Sequence, residues 1–506
     1  MEKSNFDLPP DIGKALVTLR KAADKNQGEI AKKLRTDSSR LSRIESGEVA
    51  PTLDEVAAYL DALGTESART YSKFLAQPFV HLNRPAFDHP ERDILRNSER
   101  MLQRLDEFSG RREVPDLLTG AAKLHRQTLL ASSTYLSSTH HYVAFIGRTG
   151  VGKTLAICKL TALMLADSDA GVNQPVLETG TGGTTICEVR VQYGDPGGIR
   201  VEPMPEEEIE RLVSELCAGF IESAPITGAD EDRQQVKGVP EEFRRALLNM
   251  AKLAPRTLRG PDGKSLRFNP LKPLLEQFSS QQALRAAVEE RLTLDRRLER
   301  ELRYDSTCGK SFPNWLKQAY TEINNGRNQS FSIPSRIDIL APQKILNEDR
   351  FTLQAIDTKG IDQAVMRPDL QACIDDDRTL VLLCSVYSGA PEPTIHDLLQ
   401  QLAQVGSERA FEKRVALLVL PRNDEPLQTK DLDGTRASSV DEGYLFKEEQ
   451  IREAFKRIGV PADLGIIFFD ALSSPVANVR VSRVTGSTRS RLIEAPACPI
   501  QRVPEP

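Results

Sequence analysis

"YVAFIGRTGVGKTLAI", residues 142–157, decides how the rest of the chain is to be read. An apolar run of strand length leads into a glycine-bearing loop, and the helical pattern "LAICKLTALML" follows it. Gly147-Arg148-Thr149-Gly150-Val151-Gly152-Lys153-Thr154 matches Gly-x-x-x-x-Gly-Lys-Thr throughout. Glycines at these places let the backbone bend so that successive N–H groups converge on phosphate oxygens. The helix N-terminus adds the positive end of its dipole. Lys153 is expected to reach the β- and γ-phosphates of a nucleoside triphosphate, and the Thr154 hydroxyl to ligate Mg2+. A glycine turn between unrelated elements is the bland alternative, and the strand and helix patterns on either side argue against it.

Bulk composition bounds the remaining possibilities. A chain of 506 residues is too long for one ordinary core, so roughly two to four domains are expected. With 39% hydrophobic and 27% charged residues the composition suits a soluble globular protein. The net charge of −5 means that any contact with nucleic acid must come from a local basic patch. Seven scattered cysteines without a C-x-x-C pair argue for reduced thiols in a cytoplasm and against a zinc site or a disulfide framework. The N-terminus has no apolar signal core, and runs such as "VALLVL" fall far short of the roughly 20 residues that span a bilayer. No membrane partner is expected.

Downstream of the loop, "TICEVRVQYGDPGGIRVEP" reads as a hairpin turned at Asp195–Gly198. Residues 200–330 read as a charged helical insertion, with stripes at Ile209, Leu212 and Leu216 and at Leu284, Val288 and Leu292. Strand patterns resume at "RIDIL", "FTLQAID", "TLVLLCSVY", "RVALLVL" and "LGIIFFD", with helical patterns between the last four. That alternation predicts a three-layer α/β domain around a mostly parallel sheet. The order "TGTGGTT", "DTKG", "PRND" and "FFDALSS" resembles the translation-factor-related class of P-loop GTPases, loosely its septin and dynamin-like branches. The resemblance covers 142–193 and about 350–475. It implies that Thr184 or Thr185 closes on magnesium and the γ-phosphate, that Asp357 holds magnesium through water, and that the Gly360 amide senses the γ-phosphate. It also implies that Asp424 reads the base edge, with Arg422 and Ala471 (followed by Ser473) beside it. Pro421 and Arg422 depart from the usual Asn/Thr-Lys, so GTP is favoured and ATP stays open. Ile361 stands where many fast members carry a water-orienting glutamine, which implies slow turnover. Because 172 positions separate Thr185 from Asp357, the insertion is expected to project from beside the switch.

The N-terminal stretch points to a different partner. Apolar positions in 10–65 read as five short helices, with Asn26 and Asp37 as N-caps. Between residues 20 and 43 eight basic residues face three acids, an electrostatic footprint for phosphates on an acidic chain. Residues 11–64, with "QGEIA" and "SRIESG", resemble the Cro/repressor-type (XRE-like) helix-turn-helix. Ser38 and Ser39 would open the recognition helix, followed by Arg40. Arg43 would grip a guanine one turn on, and Gln27 would hold a phosphate. A degenerate module used only for protein contacts is the alternative.

These readings predict five parts: a helix-turn-helix (1–65), a helical connector (66–138), a P-loop GTPase-like domain (139–199 and 331–475), the helical insertion (200–330) and a C-terminal tail (476–506). The function expected is a regulator whose dimerisation or DNA affinity is switched by GTP or ATP binding and slow hydrolysis, acting as a homodimer on double-stranded DNA. The rival expectation is an NTPase of a defence or mobile-element system that drives assembly or an effector protein.

Overall fold

The structure is a computed structural model that describes every residue except 1–7, 10, 112, 166–173, 179–185, 223–237, 260–264, 279, 345–350, 362–367, 405–413, 432, 462–463, 473–478 and 483–506. The chain divides into two compact units that meet in sequence between Thr139 and His140.

The first unit is all helical: α1 (Ile12–Ala22), α2 (Gln27–Leu34), α3 (Ser38–Ser46), α4 (Leu53–Leu63), α5 (Glu66–Leu75), α6 (Arg92–Ser109) and α7 (Asp116–Leu136). Four helices, not five, fall within 10–65, and the fifth begins at Glu66. Asn26 and Thr52 start α2 and α4 with reciprocal capping boxes to Glu29 and Glu55, and Asp37 accepts the Ser39 N–H at α3. Gly47 and Gly64 close α3 and α4 in the left-handed conformation. Leu16, Ile30, Leu41, Ile44, Val56, Tyr59 and Leu60 form the core, joined by Tyr71 and Phe74 from α5. Gly13 lets α1 lie directly on α3, since a Cβ there would stand 2.6 Å from the Ile44 carbonyl oxygen. Farther on, Leu95 and Leu102 of α6 pack with Leu129, Leu130 and Leu136 of α7.

The second unit carries a ten-stranded sheet among the described residues. Its strands are β1 (His140–Ile146), β4 (Glu188–Tyr193), β5 (Gly198–Pro203), β8 (Glu301–Arg303), β9 (Pro334–Ala341), β10 (Thr352–Asp357), β11 (Thr379–Val386), β12 (Val415–Leu420), β13 (Gly465–Phe469) and β14 (Val479–Ser482). Two small pairs stand apart, β2 (Met164–Leu165) with β3 (Gln174–Pro175) and β6 (Arg256–Arg259) with β7 (Ser265–Phe268). The order across the large sheet is β14-β13-β12-β11-β1-β10-β4-β9-β5-β8. Strands β10, β1, β11, β12 and β13 form a continuous parallel block, and antiparallel pairings flank it at β13–β14 and β10–β4.

Burial explains the unbroken apolar run "VALLVL". Val415, Leu417 and Val419 feed one core, while Ala416, Leu418 and Leu420 feed the other, as the period-two pleat requires. Helices α14 (Pro368–Asp375), α15 (Pro393–Gln404) and α16 (Val440–Ile458) supply the first core through Leu370, Leu399 and Phe455. The other core draws on α8 (Lys153–Leu160), α9 (Glu206–Glu222), α10 (Glu241–Met250), α11 (Leu271–Gln277), α12 (Gln281–Leu292) and α13 (Phe312–Asn324).

Two expectations are corrected here. Residues 188–203 do not form a hairpin, because β9 inserts between β4 and β5, parallel to the first and antiparallel to the second. The glycine-rich turn carries the chain over the end of β9, where a Cβ on Gly194 would stand 2.7 Å from that of Leu340. The described residues of 200–330 are likewise neither wholly helical nor set apart from the sheet. They contribute β5 and β8 to the sheet, and Leu212, Leu247, Leu284 and Leu316 join Phe145 and Ile157 in one core. Each fully buried leucine contributes about 2 kcal/mol, so these helices are the cover of that sheet face.

Candidate nucleotide site and DNA-reading helix

The glycine loop, Asp357, Arg422 and Ala471 lie at or just beyond the carboxyl ends of strands of the parallel block, where open α/β sheets present their ligand crevices. Strand β1 ends at Ile146, and Gly150 (φ +77) and Gly152 (φ +112) turn the loop into α8. Gly147 lies against β11 so closely that a Cβ would stand 2.6 Å from the Cys384 carbonyl oxygen. Val151 is 3% exposed and anchors the loop in the core. Lys153, 7% exposed, donates to the carbonyls of Gly147 (2.9 Å) and Arg148 (3.1 Å) across the loop.

Thr154 and Asp357, 203 positions apart, form one unit: the threonine hydroxyl donates to the aspartate carboxylate at 2.6 Å. Register brings this about, since Asp357 at the end of β10 faces Phe145 of β1. Burial pushes the Asp357 carboxyl above its ordinary range, against the pull of the Lys153 charge and the Thr154 hydroxyl. The "DTKG" segment is then stitched to the loop. Thr358 Oγ1 donates to the Phe145 carbonyl at 2.7 Å, and the Ile361 N–H to that of Gly147 at 3.1 Å. Gly360 has no room for a side chain, because a Cβ would stand 2.8 Å from the Thr149 nitrogen.

Arg422 reaches the same loop, donating to the Gly150 carbonyl at 3.0 Å. Asp424 is exposed and precedes the one-turn helix Glu425–Gln428, while Ala471 is buried at the end of β13. Thr184, Thr185 and Ser473 lie outside the described residues. Their neighbours Glu178 and Ile186 are both fastened to Asn324 of α13, by its amide donor at 3.0 Å and its carbonyl at 3.2 Å.

Three residues of this site escaped the sequence reading. Glu392, 6% exposed, accepts from Arg148 at 3.2 Å and from the Val386 N–H. Lys359 leaves the "DTKG" segment for α10, pairing with Glu242 at 3.3 Å and standing 4.9 Å over the Phe243 ring. No motif marks these acids, because their cationic partners lie more than a hundred positions away. A cavity of about 270 Å³ opens at the opposite end of β1, bounded by His140, Arg190 and Arg336. Its arginines are paired with Glu188, Glu202 and Asp338, and none of the loop residues lines it. Among the described residues no group of three or more His, Cys, Asp or Glu is placed to hold a metal, and no helix is long and apolar enough to cross a membrane.

In the first unit, Ser38 and Ser39 occupy the exposed first turn of α3, and Ser39 Oγ donates to Asp37 at 2.7 Å. Arg43 is 61% exposed, with Glu48 at 3.7 Å. Gln27 is turned inward, donating to Glu45 at 2.7 Å beside Arg20 (2.7 Å) and Tyr59 (2.6 Å). Arg40 pairs with Glu55 at 2.6 Å, and Lys25 and Lys33 both bind the Ala62 carbonyl that ends α4. Half of the eight basic residues therefore serve the fold, and Lys21, Lys32, Arg35 and Arg43 stand exposed.

A family model for a helix-turn-helix domain matches residues 11–70. That stretch is a helix-turn-helix, and it points to DNA as a partner. No curated protein matches the chain. Two solved structures of an oligomerised bacterial dynamin pair, described as a mechanism for long-range sensing and tethering of membranes, are similar at 12% and 11% identity. Each alignment covers 93% of this chain and 64% of the other, at a TM-score of 0.29. This chain thus spans less than two thirds of those proteins' length, and a superposition so loose assigns neither fold nor activity.

Proposed function

We propose that this chain is a nucleotide-switched DNA-binding protein, with a GTP- or ATP-binding P-loop site in its second unit and the helix-turn-helix as its reader. The observation that carries the nucleotide half is the Thr154–Asp357 contact at 2.6 Å, with the Lys153 ammonium lying across the loop next to it. One hydroxyl and one buried carboxylate at a helix N-terminus suit a magnesium ion, which takes a few protein oxygens and fills its octahedron with phosphate oxygens and water. Thr154 and Asp357 would hold such an ion, which would supply charge compensation for bound phosphates. Lys153 would exchange its two loop carbonyls for phosphate oxygens, and the loop N–H groups would receive the rest.

Lys359 supplies a route outward. It follows the Asp357 position by two residues and is held by Glu242 and Phe243 of α10, so a rearrangement of "DTKG" on γ-phosphate loss would be felt by the helices covering the sheet. Turnover should be slow, because Ile361 is 4% exposed in the core and offers no polar group to a water. The base preference rests on Asp424, exposed two residues after Arg422, which is engaged at Gly150.

Titration of the purified chain with fluorescent GTP and ATP analogues, with and without duplex DNA, tests the reading. Lys153→Ala should abolish nucleotide binding and remove any nucleotide dependence of DNA affinity. Wild-type DNA affinity that is identical with triphosphate, diphosphate and no nucleotide would sink the switch.

A further inference from the structure

Helix α7 carries an apolar stripe that the described residues leave exposed. Leu117, Ala121, Leu124, Thr128, Ala131 and Tyr135 follow one another at alternating steps of four and three, the heptad spacing of a coiled-coil seam. All six are exposed, with Leu117 at 84%, Leu124 at 63% and Tyr135 at 40%. A different face serves the unit's own packing: Ala122 and Ser133 are buried, and Leu129, Leu130 and Leu136 pack toward Leu95 and Leu102 of α6. An amphipathic helix normally turns one apolar face inward and a polar one out. This one is apolar on a second side.

We propose that the stripe is the seam of a two-helix coiled coil formed with a second copy of this chain. Three observations select that occupant. The positions flanking the seam are Gly120, Gln127 and Thr134 on one side and Leu118, His125 and Ser132 on the other, with no Asp, Glu, Lys or Arg among them. Two identical helices therefore meet without like-charge repulsion, and a charged partner would find no complementary residue. The helix's own charges, Asp116, Lys123 and Arg126, fall on the far side at helical spacing. Finally, helix-turn-helix modules read paired half-sites as two-fold dimers, and α7 follows that module in the same compact unit.

The seam runs from Leu117 to Tyr135 within the 21 residues of α7, about 27 Å of helix. Small residues at 121, 128 and 131 let the two backbones approach, while leucines at 117 and 124 fill the intervening layers. Only residues 137–139 separate α7 from β1, the strand that leads into the phosphate loop.

Sedimentation of the full chain without nucleotide tests the seam. The wild type should dimerise, and Leu124→Glu should raise the dimer Kd by roughly 100-fold or more, since each copy loses a buried leucine. Ala131→Glu should do the same, whereas Lys123→Glu, off the seam, should leave the dimer intact. Helicity by circular dichroism should be unchanged in all three, because each position is exposed in the single chain. Lys153→Ala should dimerise like the wild type, which separates this inference from the nucleotide reading. A wild type that stays monomeric, its seam covered by its own second unit or kept for another protein, would overturn the proposal. A dimer that survives Leu124→Glu and Ala131→Glu would overturn it equally.

Discussion

Substituting Gly360 by alanine probes the closeness of "DTKG" to the phosphate loop. A Cβ at Gly360 would stand 2.8 Å from the Thr149 nitrogen and 3.0 Å from its Cα. Non-bonded heavy atoms rest at about 3.5–4.0 Å, so one of two backbone segments must retreat by roughly 0.5–1 Å. The backbone of Gly360 does not have a positive φ, so the test concerns space and not conformation. Overpacking of this kind costs about 1–3 kcal/mol. In a nucleotide site the retreat should fall on the groups nearest the γ-phosphate. Isothermal titration with non-hydrolysable triphosphate and with diphosphate should then show about 5- to 150-fold weaker triphosphate binding in Gly360→Ala, the range to which that energy converts. Diphosphate affinity should change only a few-fold. Equal losses for both ligands would show that the variant had merely disordered the loop, and no loss for either would show that the segment does not face the γ-phosphate. Either result refutes the role given to Gly360.

Two further predictions concern links outside the loop. Lys359→Ala removes the ion pair to Glu242 and the contact with Phe243. Nucleotide affinity should stay within about threefold, since Lys359 is spent on α10 and not on the loop. The difference in hydrogen exchange of α10 between triphosphate and diphosphate states should disappear, and its persistence would show another route. In the first unit, burial pushes the Glu45 carboxyl up, but hydrogen bonds from Arg20, Tyr59 and Gln27 outweigh it and hold the group below its ordinary range. A depressed folded pKa stabilises at pH above the unfolded value of about 4.3, and that stability is lost as pH falls through the folded one. Glu45→Gln should cost about 3 kcal/mol at pH 7, read as faster exchange of α1 and α3 amides, with the gap to wild type closing below about pH 4. A gap independent of pH would remove the charge from the explanation.

Local chemistry was legible in the sequence wherever it is written in consecutive residues. "GRTGVGKT" needs only neighbouring residues to bend a loop and place a lysine and a threonine at a helix start, and it folds so. The caps at Asn26 and Asp37 and the strand at "VALLVL" are set by interactions within one turn or one short run, and these too were readable. Gln27 was not, because its role depends on Glu45, a residue whose burial only the packing of α1, α3 and α4 creates. The same holds for the lysines spent on the end of α4 and for Glu392 beneath Arg148.

The sequence by itself determined the helix-turn-helix, the phosphate-loop pattern and the strands of the parallel block, since periodicity and turn chemistry act over a few residues; β8 and β14 were not legible in it. Only the tertiary structure decided that β9 separates β4 from β5, that residues 200–330 cover the sheet, and that Lys359 is held by α10. Those outcomes depend on which apolar faces find each other across more than a hundred positions. Loop closure over such lengths costs little more than over short ones, so chain distance constrains the pairing weakly and burial selects it.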